Sequence, residues 1–216
     1  VLTYTVNPYQ TACGAVDIAM HTIERYFCPG EDTYLTDSIA EAVIKSTRKA
    51  AFDCMKNPDD YTARANMMWA SSLAHNGLTQ CGREFQLVVH QFEHELSGMY
   101  PKIAHGAGLA ALWCSWARYV YKANISRWLQ YSANVWNLDI DYEHPEKTIE
   151  EAINLQEQYY VSLGMPIGLK ALGVEEASLT KLALNCSRNK TRTLTGYKPL
   201  AYDDILAIYQ MAYERG

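Results

Sequence analysis

Residues 90–112, HQFEHELSGMYPKIAHGAGLAAL, place three of the chain's six histidines within sixteen positions. His90 and His94 are four positions apart, so they share one face if the segment is helical. His105 opens a strongly apolar run, which predicts a central buried helix. Two glycines follow it closely, and such small residues let a backbone approach a ligand or another helix.

A second pair with the same spacing lies far upstream, at Asp17 and His21 on a predicted helix. Either pair alone is more often a structural contact than a ligand pair. One carboxylate and several neutral imidazoles nevertheless suit a divalent ion such as Zn²⁺ or Fe²⁺. Both pairs and His105 in one short helical chain therefore favour a metal site.

The segment HQFEH also matches H-x-x-E-H, the inverted zinc-protease motif. In that interpretation His90 and His94 bind zinc and Glu93 activates water. The motif is short, and the chain offers almost no strands on which a peptide substrate could lie. The protease is thus the least favoured alternative, and Glu93 is expected in solvent or at best behind a ligand.

Hydrophobic residues make up 49% of the 216 residues, which is enough for one core. Almost every segment has helical spacing, and only residues 1–6, VLTYTV, could form a short strand. We predict an all-α multi-helix bundle of roughly eight to ten helices with at most a short N-terminal strand. Helices are expected to begin at Thr36 or Asp37, to run from Asp59 or Asp60 to His75, and to restart at the segment CGREF.

Charge and composition exclude several classes of partner. The net charge is -5 and no block of Lys or Arg forms a basic stripe, which argues against nucleic acid. No apolar run has the length that a membrane span needs. Six scattered cysteines without a Cys-x-x-Cys pair favour free thiols in a reducing cytoplasm.

Two segments resemble the signature regions of the iron-containing (group III) alcohol dehydrogenases: NPYQTACGAVDIAMHTIERYF and HQFEHELSGMYPKIAHGAGLA. The likeness is to the butanol dehydrogenase and broad-range aldehyde reductase branch. It extends to MMWASSLAHNGL, MPIGLKALGV and DDILAIYQMA, and so covers nearly the whole chain. The resemblance implies a helical domain of the dehydroquinate synthase-like type. Residues 1–216 are then the metal-binding helical domain of a larger enzyme, and the N-terminal NAD(P)-binding α/β domain is absent.

The resemblance also implies the site. Its metal ligands fall on Asp17, His21, His90 and His105, while His94 is a catalytic and cofactor-binding neighbour and not a ligand. The metal, Fe²⁺ by preference with Zn²⁺ or Ni²⁺ as alternatives, would polarise the oxygen of a small alcohol or aldehyde during hydride transfer with NAD(P). A homodimer is one option for the assembly.

Differences from relatives leave alternatives open. One residue more than usual separates His90 from His105, and the loop around Pro101 is expected to absorb it. A dehydroquinate synthase-like or glycerol dehydrogenase-like enzyme domain is an alternative, although a ligand set of one Glu and two His would not use Asp17. A helical module that binds metal without catalysis is another.

Overall fold

A computed structural model describes residues 1–30 and 33–215, which fold into nine α-helices with short 3-10 segments between them. The helices are α1 (Pro8–Tyr26), α2 (Tyr34–Lys56), α3 (Tyr61–His75), α4 (Val88–Met99), α5 (His105–Val120), α6 (Ile125–Trp136), α7 (Pro145–Ser162), α8 (Leu179–Cys186) and α9 (Tyr202–Glu214). In the part of the chain that is described, extended pairing is limited to two isolated bridges. The predicted all-α class is confirmed, and so is the range of eight to ten helices.

The prediction allowed at most a short N-terminal strand, and residues 1–6 do not form one. Residues 2–6 form turns, closed by hydrogen bonds from the Tyr4 amide to the Val1 carbonyl at 3.1 Å and from Val6 to Thr3 at 3.2 Å. A strand needs a partner edge for its backbone groups, and the described residues offer no sheet for it to join. Local turns satisfy these groups instead.

Helix α5 is the centre of the molecule and packs against α1, α4, α7 and α9. Its sequence is apolar on all sides, so it is stable only when surrounded by other helices. Trp113 and Trp116 extend from it into an aromatic cluster with Phe27 and Trp128, whose ring centroids are 4.1 Å apart. Full burial of each large side chain contributes about 1.5–3 kcal/mol. The start of α5, where His105 lies, is therefore anchored to the core.

Helix α2 begins at Tyr34, with Thr33 as its N-cap residue, and not at Thr36 or Asp37. Asp37 is buried and forms an ion pair with Arg127, so its carboxylate serves a tertiary contact instead of a cap. An aspartate near an N-terminus fits both roles in sequence, and only the position of the partner decides between them.

Helix α4 begins at Val88, several residues after the predicted restart at CGREF, residues 81–85. The intervening backbone pairs with another segment, because the Glu84 amide donates to the Pro29 carbonyl at 2.9 Å. Tertiary hydrogen bonding thus replaces the helix over these residues.

Helix α3 agrees with the sequence prediction at both ends. The Asp60 carboxylate accepts from the Ala63 amide at 3.0 Å, and His75 is the last residue of the helix. Asn76 is the C-cap residue, and Gly77 follows with a φ of 87°, a left-handed conformation that favours glycine.

The six cysteines are free, and all but Cys81 are buried, as the sequence predicts. Among the described residues, we find no helix with the length and apolar character required to cross a bilayer.

Candidate metal centre

Three helices bring the four predicted ligands together. Asp17 and His21 lie one turn apart on α1, His90 lies in the first turn of α4, and His105 is the first residue of α5. The Asp17 Oδ1 atom is 3.6 Å from Nε2 of His21 and 3.4 Å from Nε2 of both His90 and His105. One carboxylate oxygen thus faces three imidazole nitrogens contributed by separate helices.

A glycine sets the distance between α5 and α1. A Cβ atom on Gly106 would lie 2.2 Å from the carbonyl oxygen of Cys13 and 2.7 Å from its Cα. No side chain fits there, so the first turn of α5 rests directly on the α1 backbone. Because Cys13 lies one turn before Asp17, this contact places His105 beside the carboxylate.

The loop between α4 and α5 carries Pro101 and leads directly into His105. It consists of residues 100–104, and its Ile103 amide donates to the Tyr100 carbonyl at 2.9 Å. His105 nevertheless lies as close to Asp17 as His90 does. This placement is consistent with the predicted tolerance of the Pro101 loop, which stays a prediction.

The cluster is closed on one side and open on the other. The His90 side chain is 4% exposed, whereas those of Asp17 and His105 are 30% and 37% exposed. An ion held by these groups would therefore remain accessible from one side, as catalytic sites require and closed structural sites do not.

Asp17 governs the ionisation of the cluster. Burial alone would raise the pKa of its carboxyl, but the imidazoles of His105 and His90 hold that pKa well below the usual range. Asp17 and Glu93 raise the pKa of His105 to about 10. Burial lowers the pKa of His90, yet Asp17 and Glu24 outweigh it and raise the value to about 8.

His21 behaves in the opposite way. Burial and the neighbouring His90 lower the pKa of His21 to about 3, so its ring is neutral at pH 7. A neutral imidazole carries the lone pair that a metal requires.

The hydrogen bonds of two rings fix which nitrogen faces Asp17. His90 donates from Nδ1 to Glu24, and His105 donates from Nδ1 to Glu93. Since a carboxylate only accepts, the hydrogen lies on Nδ1 and the lone pair of the neutral ring lies on Nε2. Asp17 Oδ1 and His90 Nε2 are buried without a hydrogen-bond partner among the described residues. This donor set fits a divalent cation such as Fe²⁺ or Zn²⁺.

His94 lies beside the cluster on its exposed side. Its ring centroid is 6.1 Å from that of His90 and 5.6 Å from that of His105. It does not face the Asp17 oxygen as the other three histidines do. Its nitrogen lies within 4.8 Å of ligand atoms of Glu93 and His105 instead.

The expectation that Glu93 lies in solvent is wrong. Its side chain is 0% exposed, and its carboxylate accepts from His105 and from the Ser97 hydroxyl. Spacing along α4 alone does not tell which helix covers each of its sides. Helix α5 covers the side that carries Glu93, so Glu93 is buried. Glu93 lies instead behind His105, one of the predicted ligands, which was the other position expected for it.

Sequence reasoning missed Glu24 and one feature of His75. Glu24 follows His21 by three positions and Asp17 by seven, so helical spacing already puts the three on one face. His75 is the helix-end residue that was predicted, but its ring centroid also lies 4.1 Å from that of His21. Nothing in the sequence around His75 indicates that contact.

Residues 11–213 match the profile of the Fe-containing alcohol dehydrogenase family, C-terminal. The chain belongs to this family. The resemblance inferred from the two signature segments is thereby confirmed. The branch is confirmed as well, because the relatives of this chain include butanol dehydrogenases and an aldehyde reductase.

Three relatives illustrate the similarity. NADH-dependent butanol dehydrogenase A of Clostridium acetobutylicum is 39% identical over 98% of this chain and 54% of its own length. The structure of NADH-dependent butanol dehydrogenase A from Thermotoga maritima superposes with a TM-score of 0.90 and 31% identity, over 97% of this chain and 54% of that one. Aldehyde reductase YqhD of Escherichia coli gives a TM-score of 0.91 and 29% identity, over 98% and 55%.

The chain spans about half the length of the curated relatives it matches. Nearly all of this chain aligns, so the helical fold and the cluster of Asp17, His21, His90 and His105 lie within the matched region.

Proposed function

We propose that this chain is the metal-binding catalytic domain of an NAD(P)-dependent alcohol dehydrogenase or aldehyde reductase. Residues 1–216 would form its helical domain, and an N-terminal α/β domain would bring the nicotinamide. The observation that carries the proposal is the approach of three imidazole Nε2 atoms to Asp17 Oδ1 within 3.6 Å, in a chain of this family.

Asp17, His21, His90 and His105 would hold the divalent cation, Fe²⁺ by preference and Zn²⁺ or Ni²⁺ as alternatives. When bound, the cation supplies Lewis-acid polarisation of an alcohol or aldehyde oxygen, and NAD(P) supplies or accepts the hydride. The four side chains would hold the cation beside the exposed edge of the cluster, where Asp17 and His105 are partly accessible. Their positions are rigid because the first turns of α4 and α5, which carry His90 and His105, are fixed by contacts with α1.

His94 is proposed as the catalytic and cofactor-binding residue that is not a ligand. It lies on the exposed side, where substrate and nicotinamide would approach, and its ring lies within 6.1 Å of two ligand rings. From there its imidazole can accept or donate a proton at the substrate oxygen, or hydrogen-bond the cofactor. The substrate class is a small alcohol or aldehyde.

The ligand assignment is tested by metal analysis of purified single variants. We expect Asp17→Ala, His21→Ala and His105→Ala to lose bound metal, because each removes one of four donors. His94→Ala should retain it. Measurement of metal per chain by elemental analysis after extensive dialysis separates the variants.

The opposite pattern would support the zinc-protease alternative. In that case His94→Ala empties the site, while Asp17→Ala keeps the ion. Circular dichroism of every variant shows whether the helices remain folded.

The reaction is tested by joining this chain to the N-terminal half of a family member. The fusion should reduce a range of aldehydes with NADH or NADPH, and Asp17→Ala in the same fusion should abolish turnover. If a folded, metal-loaded fusion reduces none of the aldehydes with either nicotinamide, the proposed activity is wrong.

A further inference from the structure

Two buried carboxylates stand directly behind two of the proposed ligands. The Glu24 and Glu93 side chains are 2% and 0% exposed, and each accepts from the Nδ1 atom of one histidine. We propose that Glu24 and Glu93 are positioning residues, which hold His90 and His105 as Nε2 ligands and strengthen metal binding. The inference rests on the proposed function, since it presumes that these histidines bind metal.

Glu93 connects α4 to the ligand on α5. Its Oε2 atom accepts from His105 Nδ1 and its Oε1 atom accepts from the Ser97 hydroxyl, so both oxygens are engaged. The space for this carboxylate exists because residue 108 is glycine: a Cβ there would lie 2.8 Å from Oε1. His105 itself is partly exposed, and a ring in that position would rotate freely without Glu93.

Glu24 has the same role for His90 and a second one for the helix. Its Oε2 atom accepts from His90 Nδ1 and lies 3.2 Å from the His90 amide, while Oε1 accepts from the Val89 amide at 2.6 Å. Leu87, the N-cap residue of α4, provides no side-chain hydrogen bond. One carboxylate from α1 therefore fixes the start of α4 and the ring that α4 presents to the metal.

The arrangement predicts tighter binding for two physical reasons. A carboxylate that accepts from Nδ1 fixes the tautomer and makes Nε2 a more basic donor. Together with Asp17, the two carboxylates of Glu24 and Glu93 would also place three negative charges around a dication. His21 has no equivalent partner, because its Nδ1 atom is buried without a hydrogen bond among the described residues.

The test compares Glu24→Gln and Glu93→Gln with Glu95→Gln in the 216-residue chain. Glutamine keeps the size and an accepting oxygen but removes the charge. Glu95 lies two positions after Glu93 on α4 and makes no side-chain hydrogen bond within the described chain, so it is a matched control. Affinities for Zn²⁺ and Co²⁺ are measured by competition with a chromogenic chelator, well below the melting temperature of each variant.

We expect the affinity to fall about 10- to 100-fold for Glu24→Gln and Glu93→Gln and to stay unchanged for Glu95→Gln. Glu93→Leu should bind more weakly than Glu93→Gln, since it also removes the acceptor. The visible spectrum of bound Co²⁺ should shift in the Glu93 variants, which a purely structural role would not produce.

The outcomes separate this inference from the function on which it rests. If the wild-type chain binds neither ion, the proposed function fails and the inference fails with it. If the wild type binds and both Gln variants bind equally well with unchanged spectra, the metal site stands and the positioning role is refuted. A lower melting temperature with unchanged affinity gives the same refutation.

Discussion

Gly108 determines whether Glu93 can reach His105. A methyl group there would lie 2.7 Å from Cγ of the buried Glu93 side chain and 2.8 Å from its Oε1 atom. We expect Gly108→Ala to displace that carboxylate at a cost of about 1–3 kcal/mol in the free energy of unfolding, partly offset by the better helix propensity of alanine, about 0.5–1 kcal/mol. Metal affinity should nevertheless fall about tenfold, as measured by chelator competition.

Gly98 provides the matched control for this substitution. It lies in the last turn of α4, and a Cβ there would meet no atom within 4 Å. Gly98→Ala should leave metal affinity unchanged. Equal affinities for the Gly98 and Gly108 variants would contradict the role given to the glycine beside Glu93.

The ionisation of the ligands predicts how metal affinity varies with pH. Interactions with Asp17 and Glu93 raise the pKa of His105 to about 10. The pKa of His90 is raised to about 8, although burial opposes it. Both values exceed 6.5, so these rings hold protons at pH 7 that a metal must displace, whereas His21 is already neutral.

Each displaced proton makes the apparent affinity rise about tenfold per pH unit below the pKa of its ring. Zn²⁺ affinity should therefore increase steeply between pH 6 and pH 8, with protons released on binding. Calorimetric titration in buffers of different ionisation enthalpy counts these protons. A flat affinity over this interval, without proton release, would rule out displacement from His90 and His105.

The site residues differ in how far the sequence alone predicts their location and role. The spacing of Asp17 with His21 indicated a pair on one helix face, and family resemblance selected the remaining ligands. Glu93 was misjudged because the four-residue spacing of α4 says nothing about which helix covers its other face. Burial of a polar side chain depends on tertiary packing, which no local pattern contains.

At the level of helices, the contact between α1 and α5 is the one that assembles the site. Gly106→Ala would put a Cβ atom 2.2 Å from the Cys13 carbonyl oxygen, and backbone atoms cannot move aside cheaply. We expect a loss of about 1–3 kcal/mol in the free energy of unfolding, measured by urea denaturation. Metal affinity should also fall, because His105 would move away from Asp17.

The same Gly98→Ala variant serves as the control for stability, since it should be neutral or slightly stabilising. An unfolding free energy for the Gly106 variant equal to that of the control would show that α5 does not depend on this close approach.

Helix boundaries were predictable where the signal was local and not where tertiary contacts intervened. Asp60 and the Asn76-Gly77 pair marked the ends of α3 correctly. The start of α4 was predicted too early, since Glu84 pairs with Pro29 across the fold. Whether residues 1–6 form a strand could not be decided from sequence for the same reason, because a strand is defined by a neighbour that their pattern does not reveal.

For the whole molecule, the metal would link three helices that are distant in sequence, from Asp17 to His105. A ligand that binds only the folded state stabilises that state by about 2.7 kcal/mol when the free ligand concentration is 100 times Kd. We expect saturating Zn²⁺ to raise the melting temperature by roughly 5–10 °C, with reversal by a chelator. Scanning calorimetry measures the shift.

The Asp17→Ala variant tests whether that shift comes from this site. It should melt at the same temperature with and without Zn²⁺. An equal rise in the variant would mean that the ion acts elsewhere on the chain.

The loop of residues 100–104 has a consequence for recognising such proteins in genomes. The packing of α4 and α5 on α1 brings His90 and His105 together, so the loop between them need not have a fixed length. A search pattern that requires a constant interval between these histidines would discard sequences like this one. A pattern with a variable gap, anchored on the glycine at position 106 where α5 touches α1, would retain them.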